Sequence, residues 1–315
     1  MTRAVHPPPS AKARAARLSA GINATLAVLK FAAALATGSI SVLSDAVHST
    51  TDVIAATVTW YSVIRSEAPP DADHPFGHGK YESISGLVEG CIVLAAAAFM
   101  LLDAGTHLLA LHRGAVLPML RPGVAIIVMT VSLCSSLWLN RRLYGAARST
   151  ESPALLAEAR HMLTDVLTSA AVIIGLIVAQ ISGAAGADAV AALVVVAVIT
   201  RIGVNILRDA IQPLLDSSLP PEEEGKIIRI LNAHPAVLGY HKLRTRRAGS
   251  ERHADVHVQL DDDCTLVQAH ELTEELEDSI RAALPAMRVT IHMEPFRAEQ
   301  EHQKAERGGR RGSDT

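Results

Sequence analysis

Asp45-Ala-Val-His48-Ser-Thr-Thr51-Asp52 and Glu158-Ala-Arg-His161-Met-Leu-Thr164-Asp165 read alike: acid, Ala, x, His, x, x, Thr, Asp. Each sits in a stretch that otherwise reads as a membrane helix. An ionisable side chain in hydrocarbon is costly, at least a few kcal/mol, so it marks a functional site by default. In each stretch the His and the second Asp are four residues apart, hence on one helix face. Brought together, the two faces offer His48, Asp52, His161 and Asp165, two imidazoles and two carboxylates. That is a closed tetrahedral set for a zinc-like ion. Hydrogen bonding between helices would account for polar pairs, but it does not require full carboxylates in lipid. Asp45 and Glu158 precede their histidines by three residues and share that face; they read as helix-end or supporting groups rather than ligands.

Outward from these stretches, apolar runs cover roughly residues 18–37, 40–64, 83–111, 122–140, 154–182 and 186–207. Each is close to the ~20 residues a bilayer span needs. Asn23 and Lys30 interrupt the first, and Glu89, Asp103 and His107 lie in or near the ends of the third. The expectation is an α-helical membrane protein with six transmembrane helices. Arg3, Lys12, Arg14, Arg17, Arg65, Lys80, Arg141, Arg142, Arg148 and Arg208 all fall on one side, against Arg113 and Arg121 on the other. Basic residues mark the cytoplasmic side, so both termini are expected there. No small-residue cleavage site follows a short apolar core at the start, which reads as an uncleaved first helix.

Hydrophobic residues make up 49% of the chain and charged ones 19%, too apolar for one soluble domain and too polar for a chain that is all membrane. The net charge of −3 and the 3% aromatic content argue against a nucleic-acid partner. Cys91, Cys134 and Cys264 are far apart and form no CxxC pair, so neither a disulfide framework nor a thiolate zinc site is expected. No GxxxxGK[ST] segment occurs, which argues against a nucleotide as the driver.

The polar loop after residue 64 carries Asp71, His74 and His78, three ligands that leave a place for water, as an exposed, weaker metal site would. From about residue 214 the chain changes character. Pro220-Pro221-Glu222-Glu223-Glu224 starts a helix well, with proline in the first turn and acids at the positive dipole end. Residues 237–247 read as a strand. In the next strand Val256, Val258 and Leu260 alternate with Asp255, His257 and Gln259. An amphipathic helix over 267–284 and a last strand over 289–294 complete an αββαβ order, a small split, ferredoxin-like α+β domain with its helices on one face. His253, Asp255 and His257 share a strand face, as do His292 and Glu294, while His241 and His270 complete a cluster; His234 and His253 read as having no specific role. The organisation expected is an N-terminal cytoplasmic segment (1–16), a membrane domain (17–210), a cytoplasmic metal-binding dimerisation domain (211–297) and a disordered tail (298–315).

These residues together resemble the cation diffusion facilitator family over about residues 17–297. The His48/Asp52 and His161/Asp165 pairs match its transport-site motifs. The loop Asp71-x-x-His74-Pro-Phe-Gly-His78-Gly-Lys80-x-Glu82 is similar to the signature of its bacterial zinc/ferrous-iron efflux branch, as are Leu243-Arg-Thr-Arg246, Val267-Gln-Ala-His270 and Ile291-His-Met-Glu-Pro295. The resemblance implies a homodimer, a zinc site at Asp71, His74 and His78, and ions at a dimer interface with His241, His257, His270, His292 and Glu294 as ligands. It also implies an ion pair between Lys80 and Asp216 linking membrane and cytoplasmic domains. Two departures stand out: well-studied members of that branch have Asp at the position of His48, where zinc-selective members of the wider family have His, and Asp at the position of Glu294.

The expectation is a secondary transporter, not an enzyme, that exports a divalent cation, zinc first, across a bacterial inner membrane by exchange with protons. A histidine ligand must be neutral to bind metal, so metal and protons displace each other. Fe(II), Cd(II), Co(II) and Ni(II) are alternative substrates. The rivals are a membrane metalloenzyme, which would want a motif such as HExxH that this chain lacks, and a metal-sensing or non-transporting subunit, which would lack a transport ligand.

Overall fold

The computed structural model describes residues 10–37, 40–112, 122–182, 187–298 and 300. The expected tail lies almost wholly outside the described residues, as do Arg3, Arg113 and Arg121. The chain divides into two compact units, residues 1–212 and 213–315.

The first unit is helical: α1 (Ala11–Thr37), α2 (Ile40–Ser66), α3 (Tyr81–His112), α4 (Pro122–Thr150), α5 (Pro153–Ser182) and α6 (Ala187–Leu214, its last residues crossing into the second unit). Among the described residues, Tyr81–Leu102 is the segment long and apolar enough by itself to cross a membrane. Several helices outlast their apolar runs: α1 begins at Ala11 and α4 continues to Thr150. Tertiary packing sustains these extensions. Ala13 and Ala16 are buried with Val63, Leu139, Leu143, Ala147 and Leu155. Lys12 Nζ donates to Glu82 Oε1 at 2.8 Å, and Glu82, fully buried, also accepts from Ser66 Oγ at 3.0 Å and from Ser152. One acid thereby ties together the ends of α1, α2, α3 and α5. Elsewhere α3 and α6 approach closely: a Cβ on Gly90 would lie 2.7 Å from Leu207 Cγ, and one on Gly203 would lie 2.9 Å from Leu94 Cδ2. Small residues at such crossings let helices pack backbone to backbone.

The second unit runs α7 (Pro221–Ala233), β1 (Gly239–Ala248), β2 (Glu251–Leu260), α8 (Leu266–Ala283) and β3 (Met287–Pro295). The sheet order is β1-β2-β3, antiparallel then parallel. The order αββαβ is as the sequence predicts, but the sheet is not split: β2 and β3, joined through α8, are direct neighbours. Ala254, Val256, Val258 and Leu260 alternate into a core with Ile227 and Leu231 of α7 and Leu276 and Ile280 of α8. Each such fully buried Val, Leu or Ile side chain contributes roughly 1.5–3 kcal/mol. Thr265 and Gln268 cap α8 reciprocally: Thr265 N donates to Gln268 Oε1 at 2.9 Å, and Gln268 N donates to Thr265 Oγ1 at 3.3 Å. The opposite face of the sheet is left to polar residues.

Candidate metal centres

In the helical unit the repeated segments fall on α2 and α5. Their i, i+4 spacing turns His48 and Asp52 of α2, and His161 and Asp165 of α5, toward each other. His48 Nε2 is 3.9 Å from Asp165 Oδ1, and His161 Nε2 is 3.7 Å from Asp52 Oδ1. Ligand atoms of His48, Asp52 and Asp165 all lie within 4.8 Å of one another. Bonds of ~2.0 Å place tetrahedral ligand atoms roughly 3.3 Å apart, so shifts under about 1 Å would close this group on zinc. His161 stands at the edge of that group, behind Asp52. Asp52 Oδ1 is buried without a hydrogen-bond partner, a costly state unless a cation or proton visits it.

His48, Asp52 and Asp165 line a cavity of about 70 Å³, with Asn23 and Lys30 of α1, Ser49 of α2, Ser132 and Ser136 of α4, and Thr168 of α5. A water needs about 10–15 Å³ of such space, so the cavity has room for an ion together with water. Lys30 donates to Ser49 Oγ at 2.8 Å, placing a cation beside the two aspartates. Glu158 is buried, accepts from Ser19, and lies outside the cavity lining; the side chain of Asp45 is outside the described residues. Glu89, deep on α3, is hydrogen-bonded to His161. Lys30 and Glu89 show in the sequence only as charges within apolar runs, and their partners Ser49 and His161 emerge in the fold.

In the loop, Asp71, His74 and His78 converge. Asp71 Oδ1 accepts the His74 backbone N–H at 2.7 Å, and His78 Nε2 lies 3.2 Å from Asp71 Oδ2. That backbone hydrogen bond holds the Asp71 carboxyl below its usual range. The turn needs Gly77, whose φ of +84° is unfavourable for other residues. His78 is buried, whereas Asp71 and His74 are exposed.

In the second unit, strand register lines up three histidines. His257 of β2 pairs with His241 of β1 and with His292 of β3. Glu294, two residues beyond His292, reaches back over the row. Its Oε2 is 2.6 Å from His241 Nε2 and its Oε1 is 2.5 Å from His257 Nδ1. Burial works to raise the Glu294 carboxyl, but these imidazole hydrogen bonds outweigh it and hold the group below the usual range. His241, His257 and Glu294 form a compact group. A bulge makes this possible: β1 shifts register between His241 and Arg244, with Lys242 at φ 51°, so His241 and Arg244 share a face despite their odd spacing. His292 is more exposed, its Nε2 3.7 Å from Glu294 Oε1. His270, exposed on α8, lies 3.5 Å from Glu274 and is not brought to the group. His253 is buried, and that burial lowers its pKa. Asp216 accepts from Arg246 Nη1 at 3.3 Å within this unit, while Lys80 belongs to the other unit.

A helical bundle with carboxylates and imidazoles around an internal cavity, attached to a small α/β domain with its own histidine cluster, defines a membrane protein that handles metal ions. Residues 16–215 match the family model described as the cation efflux transmembrane domain, and residues 219–296 match that described as the cation efflux protein cytoplasmic domain. The chain is 36% identical over 283 residues to the cation-efflux pump FieF of Citrobacter koseri, covering 90% of this chain and 92% of the relative. It is 34% identical to FieF of Yersinia enterocolitica over the same shares. A solved structure of the metal-bound C-terminal domain of the CzcD transporter from Thermotoga maritima matches at 28% identity and a TM-score of 0.23, covering 24% of this chain and 87% of that one. The chain belongs to the cation diffusion facilitator family. It is a multi-pass membrane protein and a cation-efflux transporter.

Proposed function

We propose that the protein exports zinc from the cytoplasm in exchange for protons, as a homodimer in a bacterial inner membrane with both termini cytoplasmic. The convergence of His48, Asp52 and Asp165 on one cavity, with His161 adjoining, carries this reading. Two imidazoles and two carboxylates suit zinc in tetrahedral coordination. The two aspartates answer the charge of a divalent ion. The histidines must shed protons to bind it, so the cavity alternates between metal and protons as it faces the two sides. Residues 17–210 form the membrane domain in this reading and 211–297 the dimerising cytoplasmic domain. The name of the family model matched by the latter, ZT_dimer, supports the dimer. Zinc at His241, His257 and Glu294 would have three protein ligands from one chain; exposed His270 and His292 are the remaining candidate ligands in this reading. The site at Asp71, His74 and His78, with one buried histidine, suits a weaker peripheral ion.

Reconstitution into proteoliposomes tests this reading. Zinc uptake should be driven by an opposing proton gradient and should move protons the other way. A panel with Cd(II), Co(II), Ni(II) and Fe(II) should rank zinc first. Zinc flux that ignores the pH gradient would remove antiport. Binding without flux would favour a sensing subunit.

A further inference from the structure

One fully buried acid outside the ligand set touches it. Glu89 Oε2 lies 2.6 Å from His161 Nδ1, across 72 residues of sequence, and Glu89 Oε1 accepts from Thr59 Oγ1 at 3.0 Å. Thr59 Oγ1 is in turn 2.7 Å from Ser85 Oγ. The carboxylate is therefore held at both oxygens, by a hydroxyl of α2 on one side and by the imidazole of α5 on the other. A neutral imidazole has one N–H and one lone pair, and only the lone pair can take a metal. A carboxylate only accepts, so the N–H of His161 is drawn to Nδ1. The lone pair is left on Nε2, the nitrogen that lies 3.7 Å from Asp52 Oδ1 at the cavity.

We infer that Glu89 is a positioning residue for transport: it fixes the tautomer and ring orientation in which His161 presents Nε2 to the substrate ion. The inference rests on the reading of His161 as a ligand. A purely architectural role for Glu89 explains less. Contact between α3, α5 and α6 is already made by Val93, Ala97, Ala157, Ile199 and Ile206, and an acid buried for packing alone is an expensive choice in hydrocarbon. The other buried acid nearby, Glu158, is hydrogen-bonded to Ser19 rather than to the imidazole. A carboxylate on the far nitrogen of a ligating histidine orients the ring and raises its basicity, and losing such a partner typically costs about 10–100-fold in metal affinity.

Glu89→Gln and Glu89→Leu in the full-length protein separate position from charge. The Gln amide oxygen can still accept the Nδ1–H, whereas Leu cannot. Zinc transport in proteoliposomes should show KM raised roughly 10–100-fold in E89L, with E89Q close to wild type. In ¹⁵N-histidine spectra the resonance absent from His161→Ala should report Nδ1–H in wild type and E89Q, and a tautomer mixture in E89L. An unchanged KM and tautomer in E89L would overturn the inference. So would an E89Q defect equal to that of E89L with the tautomer intact, which would mean that charge rather than position matters. Should E89L fail to fold, Glu89→Asp, with its acceptor drawn back by one methylene, should give an intermediate KM, and a wild-type KM would count against positioning. If H161A itself transports normally, the ligand assignment fails, whatever Glu89 does.

Discussion

Asp52 and Asp165 come from different helices but face one cavity, so neither can stand in for the other. Asp52→Asn or Asp165→Asn should reduce zinc flux in proteoliposomes to background while the protein still elutes as a folded dimer. Near-normal flux in both would refute the site. In the proposed donor set, His48 sets imidazole against carboxylate. His48→Asp should improve Mn(II) or Cd(II) transport relative to zinc in a competition assay, because a carboxylate is harder and geometrically more tolerant. The two His/Asp pairs were legible in the sequence because the four-residue spacing is a local property of a helix. Lys30 and Glu89 were not, because their meaning comes from neighbours distant in sequence: Ser49 for one and His161 for the other.

At the scale of elements, the α3–α6 crossing leaves no room for a side chain at Gly90. Gly90→Ala would bring a Cβ within 2.7 Å of Leu207 Cγ and 3.0 Å of Leu207 N, so the helices must part. Overpacking of this kind costs about 1–3 kcal/mol and should lower the melting temperature in detergent. An unchanged melt would show that α6 yields freely. The Lys12–Glu82 pair is a second constraint, joining α1 to α3 where sequence composition showed only a basic N-terminus and a loop signature. Glu82→Ala leaves Lys12 without this partner among buried hydroxyls, a loss of up to about 3 kcal/mol by the same melt. Strand alternation in β2 was readable directly, but the bulge at Lys242 was not: no glycine or proline marks it, and the pairing with β2 imposes it.

At the scale of the whole molecule, the second unit has its own core and should fold when expressed as residues 213–297. A ligand that binds only the assembled state shifts the equilibrium toward it, so zinc should tighten the dimer of this fragment. Scattering should report that change, and His241→Ala with His257→Ala should abolish it. The fragment also carries a pH signature. Arg252 is buried and donates to Glu223 through Nε at 2.8 Å and Nη2 at 3.0 Å, which holds the Glu223 carboxyl below its usual range. A depressed carboxyl contributes stability that is complete above its unfolded pKa of about 4.3 and is lost as pH falls through the folded value. Apo-fragment melts should therefore weaken as the pH drops below about 4.5, and Glu223→Gln should flatten that decline. A decline of equal slope in E223Q would assign it to other carboxylates.

The sequence by itself determined the helical bundle, the αββαβ order and the faces on which the candidate ligands stand. Hydropathy runs, i, i+4 spacing and strand alternation are all written within a turn or two of the chain. Only the tertiary structure decided which nitrogen of His161 meets Glu89 and which lies toward Asp52, and why His241 meets His257 beside a bulge while His270 stays apart. Those outcomes depend on close packing between elements far apart in sequence, where a shift of an ångström changes which groups touch.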